Sequence, residues 1–201
     1  MIRRAIDVAV AASVLVLSAP LLAIAIVAIR LESRGRGIYR QRRVGQGGRE
    51  FDVLKLRTMV AGAERLGPGL AVDEGDPRIT RVGALLRRSS LDELPNLWNV
   101  VRGEMSLIGP RPTVPAQVVL YDEHQRGRLA VRPGMTGWAQ VNGRASLPWS
   151  QRIELDLYYI AHRSLLLDAR ILVRTVAVLF GGGGVYRGET GGWDGSGGER
   201  R

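Results

Sequence analysis

The adjacent carboxylates Asp92 and Glu93 are the first residues of this sequence whose types and setting suggest chemistry. Arg87 and Arg88 closely precede them, and guanidinium groups bind phosphate oxygens through paired hydrogen bonds. Carboxylates among arginines at a phosphate can act as a nucleophile, a base or a magnesium ligand. A structural explanation is also open, because Ser90 and Glu93 have the spacing of a capping box at the start of a helix. The local sequence favours the cap, although one residue can fill both roles.

Arg111 follows in the same segment and is enclosed by Pro110 and Pro112. Each proline fixes its own φ angle and restricts the residue before it, so the backbone at this arginine has few conformations. Such a backbone suits a guanidinium that has to meet a phosphate. A helix N-terminus nearby, with its unpaired amide groups, would add a second anion-binding feature. The segment as a whole therefore predicts a phosphate site.

The composition limits the kinds of partner that this chain can have. Its 201 residues carry a net charge of +10 and include no cysteine. One domain with a negatively charged partner is expected, and a disulfide framework or thiolate metal site is excluded. Nucleic acid, anionic lipid and a phosphorylated substrate fit this charge, but only 5% of the residues are aromatic and no nucleic-acid-reading motif occurs. Nucleic acid is therefore the least favoured of the three partners. Among the 29 basic residues, Lys55 is the only lysine.

The most hydrophobic part of the chain is the run Ala5–Ile29. It is longer than the ~20 residues that a spanning helix needs, and longer than the apolar core of a typical signal peptide. Pro20 predicts a kink near Ser18, whose hydroxyl could donate to carbonyl groups that the proline leaves unpaired. Arginines flank both ends of the run, which favours the cytoplasmic side for both. We therefore expect residues 1–36 to form a re-entrant helical hairpin rather than a straight spanning helix.

Residues 37–186 are expected to form one helix-rich α+β catalytic domain on the cytoplasmic face of the membrane. Glycines between two extended runs predict a small β-hairpin, Ile38–Arg42 with Arg49–Leu56. Arg132–Arg144 is typical of an ordered loop, and Leu165–Phe180 of an apolar segment at the membrane interface or in the core. The Gly-rich tail 187–201 is predicted to be disordered. The predicted helices are Thr80–Arg88, one from Ser90 towards Val101, Val114–Arg128 and the amphipathic Ser150–His162.

A resemblance to a known family rests on four runs of sequence. They are KLRTM (Lys55–Met59), LDELPNLWNVVRGEMSLIGPRP (Leu91–Pro112), RPGMTGWAQVNGR (Arg132–Arg144) and ELDLYYI (Glu154–Ile160). In this order they resemble the bacterial sugar transferases, the monotopic phosphoglycosyl transferases that place a sugar phosphate on polyprenyl phosphate. The resemblance extends from the N-terminal hairpin to about Tyr186, and the length suggests the minimal catalytic form of the family.

The resemblance implies a two-step transfer on Asp92. This residue would attack the sugar-bearing phosphate of a UDP-sugar and release UMP, and polyprenyl phosphate would then accept the phosphosugar. A covalent intermediate separates the encounters with two substrates of very different polarity. Mg²⁺ is the implied cofactor, with Asp92 as a ligand. Glu93 would position the metal or the lipid phosphate, or act as a base; positioning is preferred, because a phosphate monoester with a second pKa of about 6 needs little help from a base.

The resemblance also suggests binding roles outside the carboxylate pair. Asp156 aligns with an acidic position of the family, and either supports the site or lies on the surface. The expected partners are a UDP-sugar, polyprenyl phosphate and inner-leaflet anionic lipids, without nucleic acid; a homodimer is compatible with the sequence. The sugar and the glycan pathway stay open. Phosphate contacts are expected first at Lys55, Arg88 and Arg111, then at Arg87 and Arg57, with Arg144 on the nucleotide or its phosphates.

One departure from the family concerns the membrane segment. The family often has serine directly before the helix-breaking proline, whereas this chain has Ser18-Ala19-Pro20. The break depends on the proline and should persist, but the geometry of the hairpin stays open.

Two rival hypotheses for the function predict other behaviour. A membrane-bound scaffold would tolerate loss of the carboxylate pair or of Lys55, and a membrane-anchored nucleic-acid-binding protein would show steep salt dependence.

Overall fold

A computed structural model describes residues 2–66, 72, 75–143 and 146–181. The predicted tail 187–201 and Arg144 lie outside the described residues. The strands are β1 (Ile38–Val44), β2 (Glu50–Leu56), β3 (Ser106–Ile108) and β4 (Gly134–Thr136). The α-helices are α1 (Ile2–Glu32), α2 (Arg81–Arg88), α3 (Asn96–Arg102), α4 (Pro115–Val118), α5 (Glu123–Arg126), α6 (Trp138–Val141), α7 (Trp149–Ala161) and α8 (Leu165–Gly181). The predicted α+β class, rich in helix, is confirmed.

The contacts within the chain define two compact units. The first consists of Met1–Gln41 and Val53–Gly103, and the second of Arg42–Asp52 and Glu104–Arg201. The hairpin of β1 and β2 contributes its open end to the first unit and its tip to the second. The predicted boundary after residue 36 stays a prediction.

The β-hairpin has the predicted position and slightly longer strands. β1 pairs with β2, and β3 pairs with β4, as two separate two-stranded sheets. At the tip of the hairpin Gly47 and Gly48 have φ angles of 66° and 78°. Glycine enters this left-handed region without a steric penalty, which explains the glycine cluster between the two extended runs.

The first unit begins with α1, a helix of 31 residues. Its most apolar 18-residue window has a mean hydropathy of 2.6 and is 6% buried. α1 is therefore long and apolar enough to cross a membrane, and it lacks the cover that the core helix of a soluble protein would have. The helix continues through Pro20, and Ser18 Oγ donates to the carbonyl of Leu15 at 3.3 Å. The serine therefore bonds back along the helix as predicted, but to the carbonyl of Leu15 and not to that of Val16, which is the carbonyl that Pro20 leaves without its amide partner.

The core of the first unit connects the C-terminal part of α1 to β2 and α2. Ala25 and Ile29 of α1, Leu56 of β2 and Leu86 of α2 form one buried cluster. Burying a leucine or isoleucine side chain stabilises a fold by ~1.5–3 kcal/mol relative to leaving it exposed. The cluster therefore fixes β2, which carries Lys55, and α2, which carries predicted phosphate-binding arginines.

The predicted basic helix is confirmed as α2, and its N-terminus is well capped. Thr80 Oγ1 accepts from the amide of Gly83 at 3.0 Å. The carboxylate of Glu32 accepts from the amides of Arg81 and Val82 at 2.8 and 3.0 Å. A helix leaves its first amides without internal partners, so these bonds stabilise the start of α2.

The predicted helix from Ser90 is wrong at its start. Ser90 has a φ angle of 54° and makes no side-chain cap, so the predicted capping box with Glu93 does not form. Leu91–Glu93 is a single 3₁₀ turn, and the α-helix begins only at Asn96. Pro95 has no backbone N–H with which to continue an α-helix from the turn. The two carboxylates therefore lie on a short turn between α2 and α3.

The second unit contains the parallel pair β3–β4. Ser106 pairs with Gly134, and Ile108 with Thr136. The strands continue into a close backbone contact, because a Cβ atom added at Gly134 would lie 2.1 Å from the nitrogen of Gly109. Glycine is required at this approach, since any side chain would force the two backbones apart.

The predicted helix Val114–Arg128 is wrong as a single element. It forms α4, α5 and the start of a 3₁₀ turn at Gly127–Ala130. The interruption has a local cause, because Asp122 forms a capping box with Gln125 and starts a new helix. The sequence pattern of hydrophobic residues did not show this change of direction.

The C-terminal half of the second unit agrees better with the sequence. The predicted loop Arg132–Arg144 contains β4 and α6 in place of irregular backbone throughout. The predicted amphipathic helix is confirmed as α7, and the apolar segment forms α8. On α8 Ile171 is fully buried, whereas Leu166 and Val173 are 83% and 72% exposed. An exposed apolar face of this kind suits the membrane interface.

Candidate active site

Lys55 and Glu93 form an ion pair in the first unit. Lys55 Nζ lies 2.7 Å from Glu93 Oε1, and the two side chains are 17% and 24% exposed. β2 presents the lysine, the 3₁₀ turn presents the glutamate, and Asp92 beside it is half-buried. Charges sheltered to this degree are screened less than a pair on the surface. The structure therefore joins two of the predicted site residues directly.

A buried asparagine fixes β2 relative to α3 next to this pair. The amide of Leu54 donates to Asn99 Oδ1 at 3.1 Å, and Asn99 is 1% exposed. Lys55 is the next residue of β2, and Asn99 lies on the helix that follows the carboxylates. Leaving a buried polar atom without its partner costs ~1–3 kcal/mol. The bond therefore helps to keep the lysine within reach of Glu93.

Backbone strain immediately precedes the two carboxylates. Among the described residues other than glycine, only Ser90 has a positive φ angle. The left-handed conformation costs a side-chain-bearing residue ~1–2 kcal/mol. Ser89 still belongs to the end of α2, since its amide and hydroxyl both bond to the carbonyl of Leu85. Ser90 is thus the one residue that connects the end of α2 to the turn that carries Asp92.

Arg87 and Arg88 lie in the last turn of α2. Arg87 Nε donates to Thr58 Oγ1 at 2.8 Å, whereas Arg88 is exposed. α2 packs tightly here, because a Cβ atom added at Gly83 would lie 2.0 Å from the carbonyl oxygen of Thr58. Positive charge at a helix C-terminus also stabilises the helix, so these arginines have a structural role whether or not they bind phosphate.

Arg57 has partners other than the predicted phosphate. Its Nη1 donates to the carbonyl of Arg34, and its Nη2 to those of Ser33 and Ile29 at 2.7 and 3.4 Å. The residue is 9% exposed. Carbonyl groups at the end of a helix lack internal partners and carry partial negative charge, so a buried guanidinium satisfies them. Arg57 therefore anchors the C-terminus of α1.

Hydrogen bonds in the second unit hold the backbone on both sides of Arg111. The side chain of Arg111 is exposed. The predicted restriction of its backbone is confirmed, and its guanidinium extends from a fixed support. The carbonyls of residues 110 to 113 each accept a hydrogen bond; in this order the donors are the amide of Gly134 (2.8 Å), Arg128 Nη2 (3.1 Å), Arg43 Nη1 (3.2 Å) and the amide of Val44 (2.8 Å).

A buried ion pair between Arg128 and Asp156 supports this segment. Arg128 Nε lies 2.6 Å from Asp156 Oδ2, and the side chains are 4% and 1% exposed. Arg128 Nη1 also donates to the hydroxyl of Tyr121 at 2.7 Å, and the guanidinium lies 5.0 Å from the ring centroid of Trp149. Asp156 therefore acts on the Arg111 backbone through Arg128, and the alternative that Asp156 lies on the surface was wrong.

Sequence reasoning missed Arg128, although the sequence contained a signal. Ile153, Asp156 and Tyr159 are each 1% exposed. Their three-residue spacing places them on one face of α7. An acid on the apolar face of a helix is rarely buried without a cation, so this pattern calls for a buried arginine or lysine elsewhere in the chain.

Positive charge exceeds negative charge around the buried pair. Burial raises the pKa of Asp156, and the guanidinium of Arg128 opposes this shift. Burial, together with the charges of Arg128 and Arg111, lowers the pKa of Arg152 to about 10. Arg152 is still protonated at neutral pH, so its charge adds to those of the other two arginines. Such an excess favours an anion in the vicinity.

The carboxylates suit a magnesium ion whose remaining ligands come from water and a substrate phosphate. Among the described residues, no three Asp, Glu, His or Cys side chains form a group that could hold a metal ion. Asp92 and Glu93 nevertheless supply adjacent carboxylate oxygens. Mg²⁺ in phosphate-handling sites commonly uses one or two carboxylates, with water and substrate oxygens as the other ligands. The donor set therefore agrees with a metal that binds together with its substrate.

The first unit thus combines a carboxylate pair held by Lys55 with a first helix that is long and apolar enough to cross a membrane. The chain matches the family model described as Bacterial sugar transferase over residues 1–182. The chain belongs to the bacterial sugar transferase family, as its motifs predicted. It is accordingly a transferase enzyme, of the type that transfers a sugar phosphate.

Three relatives illustrate the range of the family. The UDP-glucose:undecaprenyl-phosphate glucose-1-phosphate transferase of Caulobacter vibrioides is 46% identical, over 88% of this chain and 69% of that protein. The UDP-galactose-lipid carrier transferase of Erwinia amylovora is 40% identical, over 92% of this chain and 42% of that protein. The UDP-N-acetylgalactosamine-undecaprenyl-phosphate N-acetylgalactosaminephosphotransferase of Aeromonas hydrophila is 41% identical, over 91% of this chain and 44% of that protein. The chain thus spans less than half the length of the last two, and the three names differ in the sugar.

Proposed function

We propose that this enzyme transfers a sugar 1-phosphate from a UDP-sugar to polyprenyl phosphate, releasing UMP and forming a polyprenyl-diphosphate-sugar. This reaction would be the first membrane step in the assembly of a glycan. The observation that carries the proposal is the pairing of Lys55 with Glu93 at 2.7 Å, next to Asp92 on a strained turn. The names of the relatives support the substrates, since they combine a UDP-sugar with undecaprenyl phosphate.

The proposed reaction has two steps, and both occur at the same phosphorus atom. A carboxylate oxygen of Asp92 attacks the phosphorus that bears the sugar. The bond from this phosphorus to the bridging oxygen of the diphosphate breaks, and the electron pair leaves with UMP. An oxygen of polyprenyl phosphate then attacks the same phosphorus, and Asp92 departs as a carboxylate. Nucleophiles and leaving groups are anions in both steps, so no proton has to be moved.

Lys55 and Glu93 are proposed to position the reacting groups. Glu93 Oε1 accepts from the ammonium group of Lys55, so this oxygen is engaged and is a poor choice as a base. The compact charge of a lysine can be shared with an incoming phosphate without a fixed fork geometry. We therefore assign Glu93 to positioning the metal or the lipid phosphate, and Lys55 to holding Glu93 and a substrate phosphate.

The arginines are proposed as phosphate contacts on separate evidence. Arg87 is held by Thr58 in the last turn of α2, next to the exposed Arg88. The assignment of Arg111 is supported by its hydrogen-bonded backbone and its exposed guanidinium. Arg144 keeps its assignment to the nucleotide or its phosphates from the sequence motif alone. Each guanidinium can donate two parallel hydrogen bonds to a phosphate.

Mg²⁺ is proposed as the cofactor, with Asp92 as its protein ligand. When bound, it supplies positive charge for the diphosphate and for the departing UMP. Removing divalent cations with a chelator should abolish UMP release, and added Mg²⁺ should restore it. Undiminished release in the chelator would exclude a metal requirement.

We further propose that α1 is re-entrant, with the catalytic residues on the cytoplasmic face. Arg4, near the start of α1, donates to the carbonyls of Val100 and Val101 at 2.6 and 2.9 Å. Ile29, near its end, lies in the core of the same unit. A straight helix would separate Arg4 and Ile29 by about 38 Å, and a bend at Pro20 would shorten that distance. Labelling both flanks of α1 in sealed vesicles tests this, and flanks on opposite sides would contradict it.

The proposed reaction is tested by UMP release from purified enzyme with polyprenyl phosphate, Mg²⁺ and a panel of UDP-sugars. Asp92→Asn should abolish release, because the amide is not a nucleophile at phosphorus. Asp52→Asn is the matched control, since it makes the same chemical change at an exposed carboxylate paired with Arg42. Release that persists in Asp92→Asn would remove Asp92 as the nucleophile. The UDP-sugar that gives turnover would identify the sugar.

A further inference from the structure

A basic depression opens beside the C-terminal end of α1. Its volume is about 780 Å³, and it lies within the first unit between the last turns of α1, the following loop and the start of β1. The residues that line it include neither Lys55 nor the two carboxylates. A phosphate bound here is therefore separate from the phosphate that Asp92 is proposed to attack.

Uncompensated positive charge surrounds this depression. Its arginines are all exposed, and within the described part of the chain none of their side chains makes a hydrogen bond or an ion pair. The acids of the described residues nearest to them have other partners, because Glu64 accepts from the hydroxyl of Tyr39 and Glu32 from the amides of Arg81 and Val82. Clustered guanidinium groups without carboxylate partners repel one another and favour a bound anion. The arginines are Arg30, Arg34, Arg36 and Arg40.

The loop that forms one wall is held firmly. Arg57 bonds to it twice, from its amide to the carbonyl of Gly37 at 2.8 Å and from Nη1 to the carbonyl of Arg34. Gly35 has a φ angle of 117°, and a Cβ atom there would lie 2.5 Å from Arg57 Nη1. A Cβ atom at Gly37 would lie 2.8 Å from Cγ2 of Ile26. The loop therefore packs closely on α1, and the depression is formed before any ligand binds.

Apolar surface continues from the depression along α1. Ile26 and Tyr39 contribute to its lining, and the nearby Ile24, Val27 and Leu31 are 68%, 57% and 83% exposed. A free phosphate would leave this apolar part uncovered. An amphiphile with an anionic headgroup and hydrocarbon chains would cover both parts. Basic residues at the end of an apolar helix also lie at the level of lipid headgroups.

We propose that this depression binds the headgroup of an anionic glycerophospholipid. The phosphodiester oxygens accept hydrogen bonds from the arginines, and an acyl chain lies along the exposed face of α1. The inference rests on the membrane placement of α1 in the proposed function and is independent of the transfer reaction. It assigns this basic cluster to anchoring in the anionic leaflet.

The test titrates the full chain, in a neutral detergent, with a short-chain phosphatidylglycerol and measures the dissociation constant by calorimetry. The double variant Arg34→Gln/Arg36→Gln should bind about tenfold more weakly, because it loses charge-assisted hydrogen bonds. Arg30→Gln/Arg40→Gln should show the same loss and does not depend on the fold of the loop. Arg49→Gln/Arg126→Gln removes equal charge from exposed positions outside the depression, and should bind within about twofold of the unchanged chain.

Competing ligands identify the source of the phosphate. Phosphatidylcholine should bind far more weakly than phosphatidylglycerol, and inorganic phosphate should not displace the lipid. Equal loss in the control variant, equal binding of phosphatidylcholine, or displacement by inorganic phosphate would each overturn the proposal. Tighter binding of polyprenyl phosphate would overturn it too, by making this an acceptor site. UDP-sugar is absent from this titration, so an unchanged chain that fails to bind phosphatidylglycerol but still releases UMP would reject this inference and leave the proposed reaction standing.

Discussion

Two carboxylate–cation pairs, one in each unit, have nearly the same length but very different surroundings. Lys55 and Glu93 are 2.7 Å apart with side chains 17% and 24% exposed, whereas Arg128 and Asp156 are 2.6 Å apart and 4% and 1% exposed. The distance alone does not separate the pair that we propose for the reaction from a structural one. The exposure does, because a substrate phosphate can approach the first pair and cannot reach the second.

The number of partners makes the same distinction. Arg128 uses its guanidinium on Asp156, Tyr121 and the carbonyl of Arg111, and it stacks on an indole. These bonds use three of its five N–H groups, and a side chain that is only 4% exposed cannot offer the others to a ligand from solution. A lysine that pairs with a partly exposed carboxylate can share its charge with an anion. We therefore expect the buried pair to control stability and the partly exposed pair Lys55–Glu93 to control turnover.

The largest effect on stability is expected from breaking the buried pair. Arg128→Met should lower the free energy of unfolding by about 3–5 kcal/mol, because it leaves Asp156 buried without a cation. Chemical denaturation in detergent micelles measures this loss. The double variant Arg128→Met/Asp156→Leu should recover much of it, since no buried charge remains. A loss below about 1 kcal/mol in the single variant would show that the pair is not structural.

The partly exposed pair Lys55–Glu93 should give the opposite result. Lys55→Met should reduce kcat/KM for UMP release about 100-fold, as expected for removal of one charged donor at a phosphate, while the free energy of unfolding changes by less than about 1 kcal/mol. Glu93→Gln should show a similar pattern, and the double variant should lose less than the sum. Lys55→Arg is the conservative control and should retain part of the activity. If Lys55→Met lowered the free energy of unfolding by several kcal/mol together with kcat/KM, the pair would be structural.

A third ion pair, Asp76 with Arg78, is also buried, and its contribution to stability should depend on pH. The carboxylate and guanidinium are 2.6 Å apart and both side chains are 6% exposed. Hydrogen bonds from Arg78 lower the pKa of Asp76 despite its burial. The stabilisation is therefore complete above the unfolded pKa of about 3.9 and is lost as the pH falls through the lower folded value.

The corresponding variant is Asp76→Asn. It should cost about 1.5–3 kcal/mol at neutral pH, and its unfolding free energy should approach that of the unchanged chain as the pH falls below about 4. Thermal unfolding across this pH range measures the difference. A constant difference at every pH would mean that the charge of Asp76 is not involved.

The smallest effect is expected at the strained residue before the carboxylates. Ser90→Gly should raise the free energy of unfolding by about 1 kcal/mol, because glycine adopts a positive φ angle without the steric penalty. Ser89→Gly is the control, since Ser89 has a right-handed conformation and donates to the carbonyl of Leu85. It should lower stability. A loss of stability in Ser90→Gly would show that the serine side chain matters more than the strain.

Sequence reasoning succeeded where one residue type has one conformational meaning. The prolines around Arg111 predicted a restricted backbone, the glycines after Val44 predicted a turn, and Thr80 predicted a helix start. It failed where two explanations share one pattern. The spacing of Ser90 and Glu93 fits a capping box, but a proline after the acids and a left-handed serine produce a 3₁₀ turn.

Long-range contacts were beyond the sequence for a different reason. Arg57 closes the end of α1, and Lys55 pairs with Glu93, across separations of 23 and 38 residues. No local periodicity indicates which cation meets which carbonyl or carboxylate. The resemblance to the family pointed to the segment Leu91–Pro112, and the packing gives its charged residues different surroundings, since Glu93 pairs with Lys55 whereas Arg111 is exposed.

The central claim is that Asp92 carries the phosphosugar during turnover. Incubation of the full enzyme with a UDP-sugar and Mg²⁺, without polyprenyl phosphate, followed by intact mass measurement and peptide mapping, tests it most directly. We predict an added mass of one phosphosugar on Asp92, which polyprenyl phosphate removes and which Asp92→Asn lacks. An unmodified enzyme that releases UMP only when both substrates are present, or an adduct on Glu93, would contradict the account.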